Sequence, residues 1–480
     1  MATVNQVPTA RIAWRTAPAA GLVVTVLGTV AAIAVIPMEV EPAGVLKSAA
    51  WLLALGLLAV AATLAFLAPA SLFHPVHVTA AAPAYWLLLD LLQGAYDLPG
   101  LRRESVVAAF IAIGLFSAGV WIAALQRPMG LPKAVSHAAT IRLTGKQLFT
   151  IAALAFTLSF LKFAIPIGFD LELMFGALSQ DRWSAGWGRG NLGSWDAFLD
   201  HAAYFGYLLP SLTVLIGRQA GWMNWRTWMC GLFSLVILAL MSTGGGRRII
   251  GVMVGSGLCV WFLSARRPML RHLLGVAAVC AGLLFFMQQM VQTRGVGVAA
   301  IFSKSADDSI TRMEYLHVDD NFHRLSQIVE IIPKDHPYTG IQWVIWLAVR
   351  PIPRVFWPGK PVDPGFDLPL FLGMEGVSLS CSIIGEAYMA FGFFGILGTG
   401  WIMGRLGVTL AHLLERHSGP AALAMFGSGL LALFAGMRSG LELVLMMYPV
   451  LAWIALVWIY ERFRPSVRVS PRPVGGVAQN

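Results

Sequence analysis

The turn STGGGRRIIG is the first candidate functional site of this chain. Arg247 and Arg248 follow three glycines and precede an apolar run. Free backbone N–H groups in a glycine turn, the start of a helix and paired guanidinium groups all suit an anion. The pattern therefore predicts a phosphate site, and Arg438 in GMRSGLE repeats it at a later turn.

The stretch AVRPIPRVFWPGKP is the second candidate site. It places Arg350, Arg354 and Lys360 in a rigid proline-rich loop together with Trp346 and Trp357. Aromatic faces beside fixed cations suit a sugar carried on an anionic anchor. The alternative is an anchor at the membrane boundary, where Trp and Arg are common.

Charged residues inside apolar runs form a third group, and such residues by default mark functional sites. They are Asp90, Lys162, Asp200, Glu386 and Glu442. Two alternatives stay open. Asp200, Glu386 and Glu442 could instead be interfacial residues at helix ends, and the arginines could reach lipid headgroups or pair with Asp90 or Glu442.

The composition indicates that these residues belong to a membrane protein. Of the 480 residues, 57% are hydrophobic and 12% are charged, and the mean hydropathy is +0.71. Soluble chains carry about 25% charged residues, so a soluble surface cannot be built from this chain. The net charge of +10 agrees with basic cytoplasmic loops and does not require nucleic acid as a partner.

Twelve apolar runs are long enough to predict membrane-spanning helices. They cover residues 19–37, 50–69, 79–95, 105–125, 147–167, 197–216, 227–243, 249–264, 272–291, 386–404, 420–436 and 441–460.

The charges of the loops predict the orientation. The loops on the side that holds both termini carry seventeen basic and two acidic residues, which places this side in the cytoplasm. We therefore predict an all-α polytopic protein of a bacterial inner membrane, with about twelve spans and one large periplasmic loop between spans nine and ten. The predicted units are a bundle (1–291), the loop unit (292–385), the last three spans (386–460) and a basic tail (461–480).

The loop unit 292–385 contains three recognisable segments. Residues 305–333 predict an amphipathic helix, and IQWVIWLAV is apolar but too short to span the bilayer. The prolines that follow exclude a helix. Asp307, Asp308 and the HVDDNFH stretch could imitate a metal site, but neighbouring carboxylates point to different helix faces, and we predict no metal.

Motifs for ATP hydrolysis, dinucleotide binding, zinc proteolysis and serine esterases are absent from the sequence. Three of the four cysteines fall in predicted spans, which excludes a disulfide framework within the chain.

Three segments of the outer region resemble the oligosaccharide repeat unit polymerases, the Wzy-type polymerases of bacterial O-antigen, capsule and exopolysaccharide. These segments are IVEIIPKDHPYTG, RPIPRVFWPGKP and GEAYMAFGFFGILG. The resemblance covers roughly residues 325–400 and is supported by the STGGGRR turn.

The resemblance implies a metal-independent glycosyltransferase without a cofactor. It would move a growing glycan from undecaprenyl diphosphate to a lipid-linked repeat unit at the periplasmic face, with a chain-length regulator and a flippase as possible partners. Outward arginines tied to the activity correspond to Arg350 and Arg354 and, less closely, to Arg247 and Arg248. A base for the acceptor hydroxyl is then expected nearby, with Glu386 and His323 as candidates.

The predicted catalytic residues are Arg354, Glu386 and His323. The predicted substrate-binding residues are Arg247, Arg248, Arg350, Lys360, Arg438, Asp90 and Trp357. Two other functions remain open, an O-antigen ligase with a lipid A core acceptor and a secondary transporter. Against a transporter, the sequence lacks two-half symmetry and a long central cytoplasmic loop.

Overall fold

The computed structural model describes residues 14–463 apart from short gaps. The gaps are residues 43, 96, 181–183, 188–196, 245, 266–268, 294–296, 303–314, 353, 355 and 375–378. Within the described residues the chain is helical and contains no β-strand. The predicted all-α class is therefore confirmed.

In the described part of the chain, thirteen α-helices precede the predicted loop unit. They are α1 (Pro18–Ala34), α2 (Lys47–Leu67), α3 (Pro75–Trp86), α4 (Leu89–Gln93), α5 (Arg103–Ala124), α6 (Lys133–Thr140), α7 (Gly145–Ala164), α8 (Leu171–Gly176), α9 (Ala197–Gly206), α10 (Leu209–Ala220), α11 (Trp225–Ser242), α12 (Arg247–Leu263) and α13 (Leu270–Gln292).

Six helices follow in the described part of the remaining chain. They are α14 (Asn321–Ile331), α15 (Ile341–Ala348), α16 (Leu368–Phe371), α17 (Ser382–Arg416), α18 (Pro420–Ala435) and α19 (Gly440–Phe463).

Among the described residues, seven helices are long and apolar enough to cross a membrane. They comprise α2, α5, α7 with the turn that follows it, α11, α13, α17 and α19, and the apolar helices α1 and α18 are shorter. The protein is therefore a polytopic α-helical membrane protein by length and composition. The full number of twelve spans stays a prediction.

Two predicted spans are each divided between two helices. The span predicted at 197–216 is divided between α9 and α10, and Pro210 is the second residue of α10. Proline lacks the N–H that continues a helix ladder, which accounts for this interruption. The span predicted at 79–95 is divided between α3, which continues through Pro83 and ends at Trp86, and the short helix α4.

The buried apolar side chains form two clusters. One joins α1, α2, α3, α5, α14 and α17, and the other joins α7, α10, α11, α12, α18 and α19. In the first cluster α5 and α17 approach closely through glycines: a Cβ at Gly400 would lie 2.1 Å from the carbonyl oxygen of Phe116. Gly400 and Gly404 therefore allow the backbone contact that is typical of small residues in membrane helices.

The described part of the loop unit (292–385) packs directly on the membrane helices. The described part of the predicted amphipathic helix is α14, which begins at Asn321, and residues 303–314, with Asp307 and Asp308, lie outside the described residues. Phe322 and Leu325 of α14 are buried in the first cluster. Glu330 accepts hydrogen bonds from Nε of Arg102 at 2.9 Å and from Oγ of Ser105 at 3.0 Å. These contacts fix α14 over the start of α5.

A break in α17 holds the segment that leads into α15. Phe391 and Gly392 have non-helical backbone angles, with φ 62° and ψ −147° at Gly392. The carbonyl oxygens of Met389 and Ala390 accept from the backbone N–H groups of Thr339 and Gly340, each at 3.0 Å. Two of the three segments that carry the family resemblance therefore meet at this break.

Replacing Gly392 by alanine should lower the apparent melting temperature of the protein. A residue with a side chain is strained at this backbone conformation by about 1–3 kcal/mol, and the new Cβ would lie 3.0 Å from the Tyr338 hydroxyl. Gly398→Ala is the matched control, since a Cβ there meets nothing within 4 Å. Thermal unfolding of the purified protein measures both variants, and equal melting temperatures would contradict the expectation.

The predicted orientation is tested at Lys334, whose side chain is 66% exposed. We expect Lys334→Cys to react with an impermeant maleimide added outside intact cells, because the loop unit is predicted to face the periplasm. The background lacks Cys280 and Cys381, the half-buried native thiols. Arg127→Cys, in a predicted cytoplasmic loop, serves as the control. Labelling of Arg127→Cys alone would reverse the orientation.

Candidate functional site

A small open cavity of about 80 Å³ lies between α3, the start of α12, the end of α13 and the turn before α19. It is where helices of the two apolar clusters meet. Its lining is mostly polar and aromatic and includes three of the predicted arginines. The lining residues are Tyr85, Trp86, Gly246, Arg247, Arg248, Met287, Val318, Asp319 and Arg438.

Arg247 and Arg248 reach the cavity because α12 begins at Arg247 directly after Gly246. The Arg247 guanidinium donates hydrogen bonds to the carbonyl oxygens of His317 and Val318. Nη2 of Arg248 lies 2.8 Å from Oε1 of Glu442, a carboxylate that is almost completely buried. The predicted helix start next to the glycine turn is therefore confirmed.

Arg438 joins the two carboxylates of the cavity wall. Its Nε donates to Oδ2 of Asp319 at 2.9 Å, and its Nη1 lies 3.7 Å from Oε1 of Glu442. Arg247 is also within 3.9 Å of Asp319. Three guanidinium groups thus face two carboxylates in direct contact, so the cluster keeps a positive charge.

Two polar atoms of this cluster are buried without a hydrogen-bond partner in the described part of the chain. They are Nε of Arg248 and Oε2 of Glu442. Buried polar atoms are normally hydrogen-bonded, and an orphaned one calls for a ligand or water. The Arg248–Glu442 pair is therefore incomplete as a purely structural ion pair.

Asp90 lies under the cavity wall and positions it. Its Oδ1 accepts from the backbone N–H of Val318 at 3.3 Å, and the residue is 2% exposed. Gln93 bonds both backbone groups of Leu316, and Gln288 bonds the backbone of Tyr315 and His317. Polar side chains from the membrane helices thus hold the backbone of residues 315–318 in place, directly before Asp319.

Asp319 is not among the site residues that the sequence predicts. The HVDDNFH stretch could imitate a metal site, but its two neighbouring acids were expected to point to different faces. The two carboxylates do point to different partners: Asp319 contacts Arg438, whereas Asp320 lies 3.5 Å from Arg324. Within the described ranges no group of three potential ligands could hold a metal ion. The spacing of acids alone gave no signal for the contact with Arg438, which is 119 residues away.

Glu386 lies beside this cluster, at the start of α17. Its Oε2 accepts from Nε1 of Trp343 at 3.1 Å and from the backbone N–H of Gly440 at 2.8 Å. Gly440 begins α19, two residues after Arg438. Glu386 therefore connects α15 of the loop unit to the turn that carries Arg438.

Lys360 holds the proline-rich loop together from within. Its ammonium group donates to the carbonyl oxygens of Arg350 at 2.9 Å and of Ile352 at 2.7 Å, and the residue is 6% exposed. Burial and the charges of Arg350 and Arg354 lower the pKa of Lys360. The Arg350 guanidinium lies over the Trp346 ring, 5.4 Å from its centre.

In this loop Arg354 is half-buried and Trp357 is exposed. Nη2 of Arg354 makes one long hydrogen bond of 3.5 Å to the carbonyl oxygen of Pro361, and the Trp357 side chain is 40% exposed. Neither residue lines the cavity of Arg247, Arg248 and Arg438. The structure thus brings together three of the predicted arginines and places the loop cations in a second group.

His323 lies in the first turn of α14 and is half-buried. Burial and the neighbouring Arg324 lower its pKa, against an opposing effect of Asp320. The His323 side chain does not line the cavity.

Lys162 and Asp200 form a separate pair between α7 and α9. Nζ of Lys162 lies 2.8 Å from Oδ1 of Asp200 and also donates to the carbonyl oxygen of Trp187 at 3.1 Å. These two intramembrane charges thus neutralise each other at a position outside the cavity lining.

The cavity presents three guanidinium groups and the carboxylate of Asp319, an arrangement that suits an anion with several oxygen atoms. Guanidinium groups from two distant parts of the chain converge on it, and charge-assisted hydrogen bonds of this kind are the strong ones. No protein-family model, curated protein or solved structure matches the chain.

Proposed function

We propose that this protein polymerises lipid-linked oligosaccharide repeat units at the periplasmic face of the inner membrane. The observation that carries the proposal is the convergence of Arg247, Arg248 and Arg438 on one cavity at the ends of membrane helices. The resemblance of residues 325–400 to the repeat unit polymerases supports it independently.

The arginine cavity would hold the diphosphate of the undecaprenyl donor. The cluster is cationic, and Arg248 Nε is a buried donor without a partner among the described residues. A diphosphate oxygen would accept a hydrogen bond from this donor. The diphosphate would also compete with Glu442 for the guanidinium group of Arg248 and with Asp319 for that of Arg438. The arginines would then stabilise the charge that develops on the leaving diphosphate.

The transfer exchanges one C–O bond for another. A hydroxyl oxygen of the incoming repeat unit bonds to the anomeric carbon of the donor glycan, and the bond from that carbon to the diphosphate oxygen breaks. The electron pair of the broken bond leaves with undecaprenyl diphosphate, and the hydroxyl proton passes to a base.

Asp319 is the carboxylate best placed to take this proton, because it lines the cavity. Glu386 remains a predicted base, and its Oε2 accepts from Trp343 and Gly440, as Asp319 accepts from Arg438, but Glu386 does not line the cavity. His323 also remains a prediction and lies outside the cavity lining. Trp357, exposed on the proline-rich loop, and the half-buried Arg354 would contact the glycan or its lipid anchor.

Deletion of the gene followed by electrophoresis of the surface glycan tests the proposal. A polymerase deletion should leave single-repeat products, and the plasmid-borne gene should restore the ladder. Accumulation of free lipid-linked polymer would instead identify a ligase. Accumulation of repeat units in the cytoplasm would identify a transporter.

Chelation should leave polymerisation by the purified protein unchanged. The proposed site uses arginines where a metal-dependent enzyme uses a divalent ion to neutralise the diphosphate. The measurement is the amount of polymer formed with and without EDTA. Loss of polymer that magnesium or manganese restores would move the site to Asp307, Asp308, Asp319 or Asp320.

A further inference from the structure

Helix α15 of the loop unit is apolar on both of its faces. Trp343 and Trp346 face the protein, where both are buried. The opposite face is a stripe of exposed residues at helical spacing, namely Ile341, Val344, Ile345 and Ala348. A helix that is apolar all round belongs in a protein core or in lipid. The outward stripe therefore needs a covering that the described part of the chain does not supply.

The tryptophan side chains of α15 direct their hydrogen bonds away from this stripe. Nε1 of Trp343 donates to Oε2 of Glu386 at 3.1 Å. Nε1 of Trp346 donates to the carbonyl oxygen of Val362 at 3.1 Å. Gln342 is exposed and lies at the edge of the stripe. The stripe itself therefore presents only hydrocarbon.

The start of α15 lies at the depth of the membrane span of α17. Residues 387–404 of α17 carry no charged side chain. At about 1.5 Å per residue this stretch is about 27 Å long, close to the hydrocarbon thickness of about 30 Å. The N–H of Gly340 donates to the carbonyl oxygen of Ala390 at 3.0 Å, and Ala390 lies about 6 Å along the helix from Glu386. Gly340 is therefore below the level at which the hydrocarbon begins.

The break in α17 agrees with this depth. Backbone polar groups at hydrocarbon depth must find their partners within the protein. At the break, the carbonyl oxygens of Met389 and Ala390 find donors in the N–H groups of Thr339 and Gly340. Phe394, which follows the break, is 88% exposed. Lipid therefore covers α17 at the level where α15 begins.

Aromatic rings connect this lipid-facing surface of α17 to the segment before α15. The Tyr338 ring lies 6.2 Å from that of Tyr388. The Tyr388 ring lies 5.3 Å from that of Phe393, which is itself exposed. The exposed surface of the loop unit thus continues the lipid-facing surface of a membrane helix.

The other end of α15 lies at the membrane boundary. Leu347 packs at Gly440, the first residue of α19, where an added Cβ would lie 2.8 Å from Cδ1 of Leu347. Arg350 follows shortly after and lies over the Trp346 ring. Arginine and tryptophan are typical of the boundary between hydrocarbon and water. Helix α15 therefore runs obliquely, from hydrocarbon at Gly340 to the headgroups at Arg350.

We propose that α15 is immersed in the leaflet next to the loop unit (292–385) and that its outward stripe contacts the acyl chains of lipid. A helix of eight residues is too short to span the bilayer, so it enters only part-way. Part of the predicted periplasmic loop unit then belongs to the membrane body of the protein. This proposal does not depend on the proposed function, and the glycan ladder and the test below can fail independently.

Fluorescence quenching in lipid nanodiscs tests the proposal. Val344→Cys carries an environment-sensitive fluorophore in a background that lacks Cys280 and Cys381. We expect blue-shifted emission that is at least halved by lipids brominated on their acyl chains and nearly unchanged by aqueous iodide. Lys334→Cys is the matched control in the same loop unit, because its side chain is exposed. Its fluorophore should be quenched by iodide and not by brominated lipid.

Two results would overturn the proposal. Quenching of the Val344→Cys fluorophore by iodide and not by brominated lipid would place α15 in water. Protection of this fluorophore from both quenchers would indicate that a protein, and not lipid, covers the stripe.

The oblique path has a test of its own. Lipids brominated near the ends of their acyl chains should quench a fluorophore at Ile341→Cys more strongly than one at Ala348→Cys. Equal or reversed quenching would contradict the entry of α15 at Gly340. Both residues are exposed, so the fluorophore does not disturb a packed core, and thermal unfolding of the labelled proteins confirms that they are folded.

Discussion

Replacing Arg438 by lysine should lower chain synthesis by roughly 100- to 1,000-fold, nearly as far as replacing it by alanine. The Arg438 guanidinium reaches Asp319 through Nε and Glu442 through Nη1 at the same time. Lysine keeps the charge but loses the planar fork that makes both contacts and would bind a phosphate. The measurement is the rate of polymer formation per amount of protein in the membrane.

The matched control is Arg102→Lys, which alters an ion pair with Glu330 in which the arginine side chain is 56% exposed. An exposed pair of this kind is worth under about 1 kcal/mol, so synthesis should remain near normal. Near-normal synthesis in Arg438→Lys would show that this arginine only anchors the protein. The same two substitutions at Arg354 test the proline-rich loop separately.

Replacing Asp319 by asparagine should lower synthesis by roughly 100- to 10,000-fold, because it removes the proposed proton acceptor. Asparagine keeps the size of the side chain and can still accept a hydrogen bond from Arg438. Binding of undecaprenyl diphosphate should be kept or strengthened, since the variant removes a negative charge from the cavity.

Asp320→Asn is the control next in the sequence, where the carboxylate is 3.5 Å from Arg324 and does not line the cavity. It should retain most of the activity. Equal losses in both variants would indicate that the segment merely needs its acids to fold, and full activity in Asp319→Asn would return the role of base to Glu386 or His323.

Much of the helical fold could be predicted because a membrane requires long apolar runs. The runs predicted at 50–69, 105–125 and 272–291 correspond to α2, α5 and α13 within a few residues. The end of α17 could not be predicted in the same way. The hydropathy pattern predicts that the span ends at residue 404, before Arg405, whereas the helix continues to Arg416. A helix that extends beyond the bilayer needs no further apolar residues, so hydropathy does not indicate where it ends.

The candidate site was predictable only in part. The position of a charged residue in a turn can be read from the local sequence, whereas its contacts with residues distant in the sequence cannot. Arg247, Arg248 and Arg438 were selected as cations in outward turns, and they share one cavity. Asp319 was not predicted as a site residue, because its partner Arg438 is distant in the sequence. Asp90 was predicted to bind substrate, which stays a prediction; its hydrogen bond to Val318, 228 residues away, depends on how the segment before α14 folds back onto α4.

Reconstitution tests the central claim most directly. The purified protein, placed in lipid nanodiscs, is given the lipid-linked oligosaccharide that accumulates in the deletion strain. The account predicts a ladder of multimers and release of one undecaprenyl diphosphate for each repeat unit added, with both products lost in Arg438→Ala. Repeat units that remain unchanged, with no undecaprenyl diphosphate released by the wild-type protein, would contradict it.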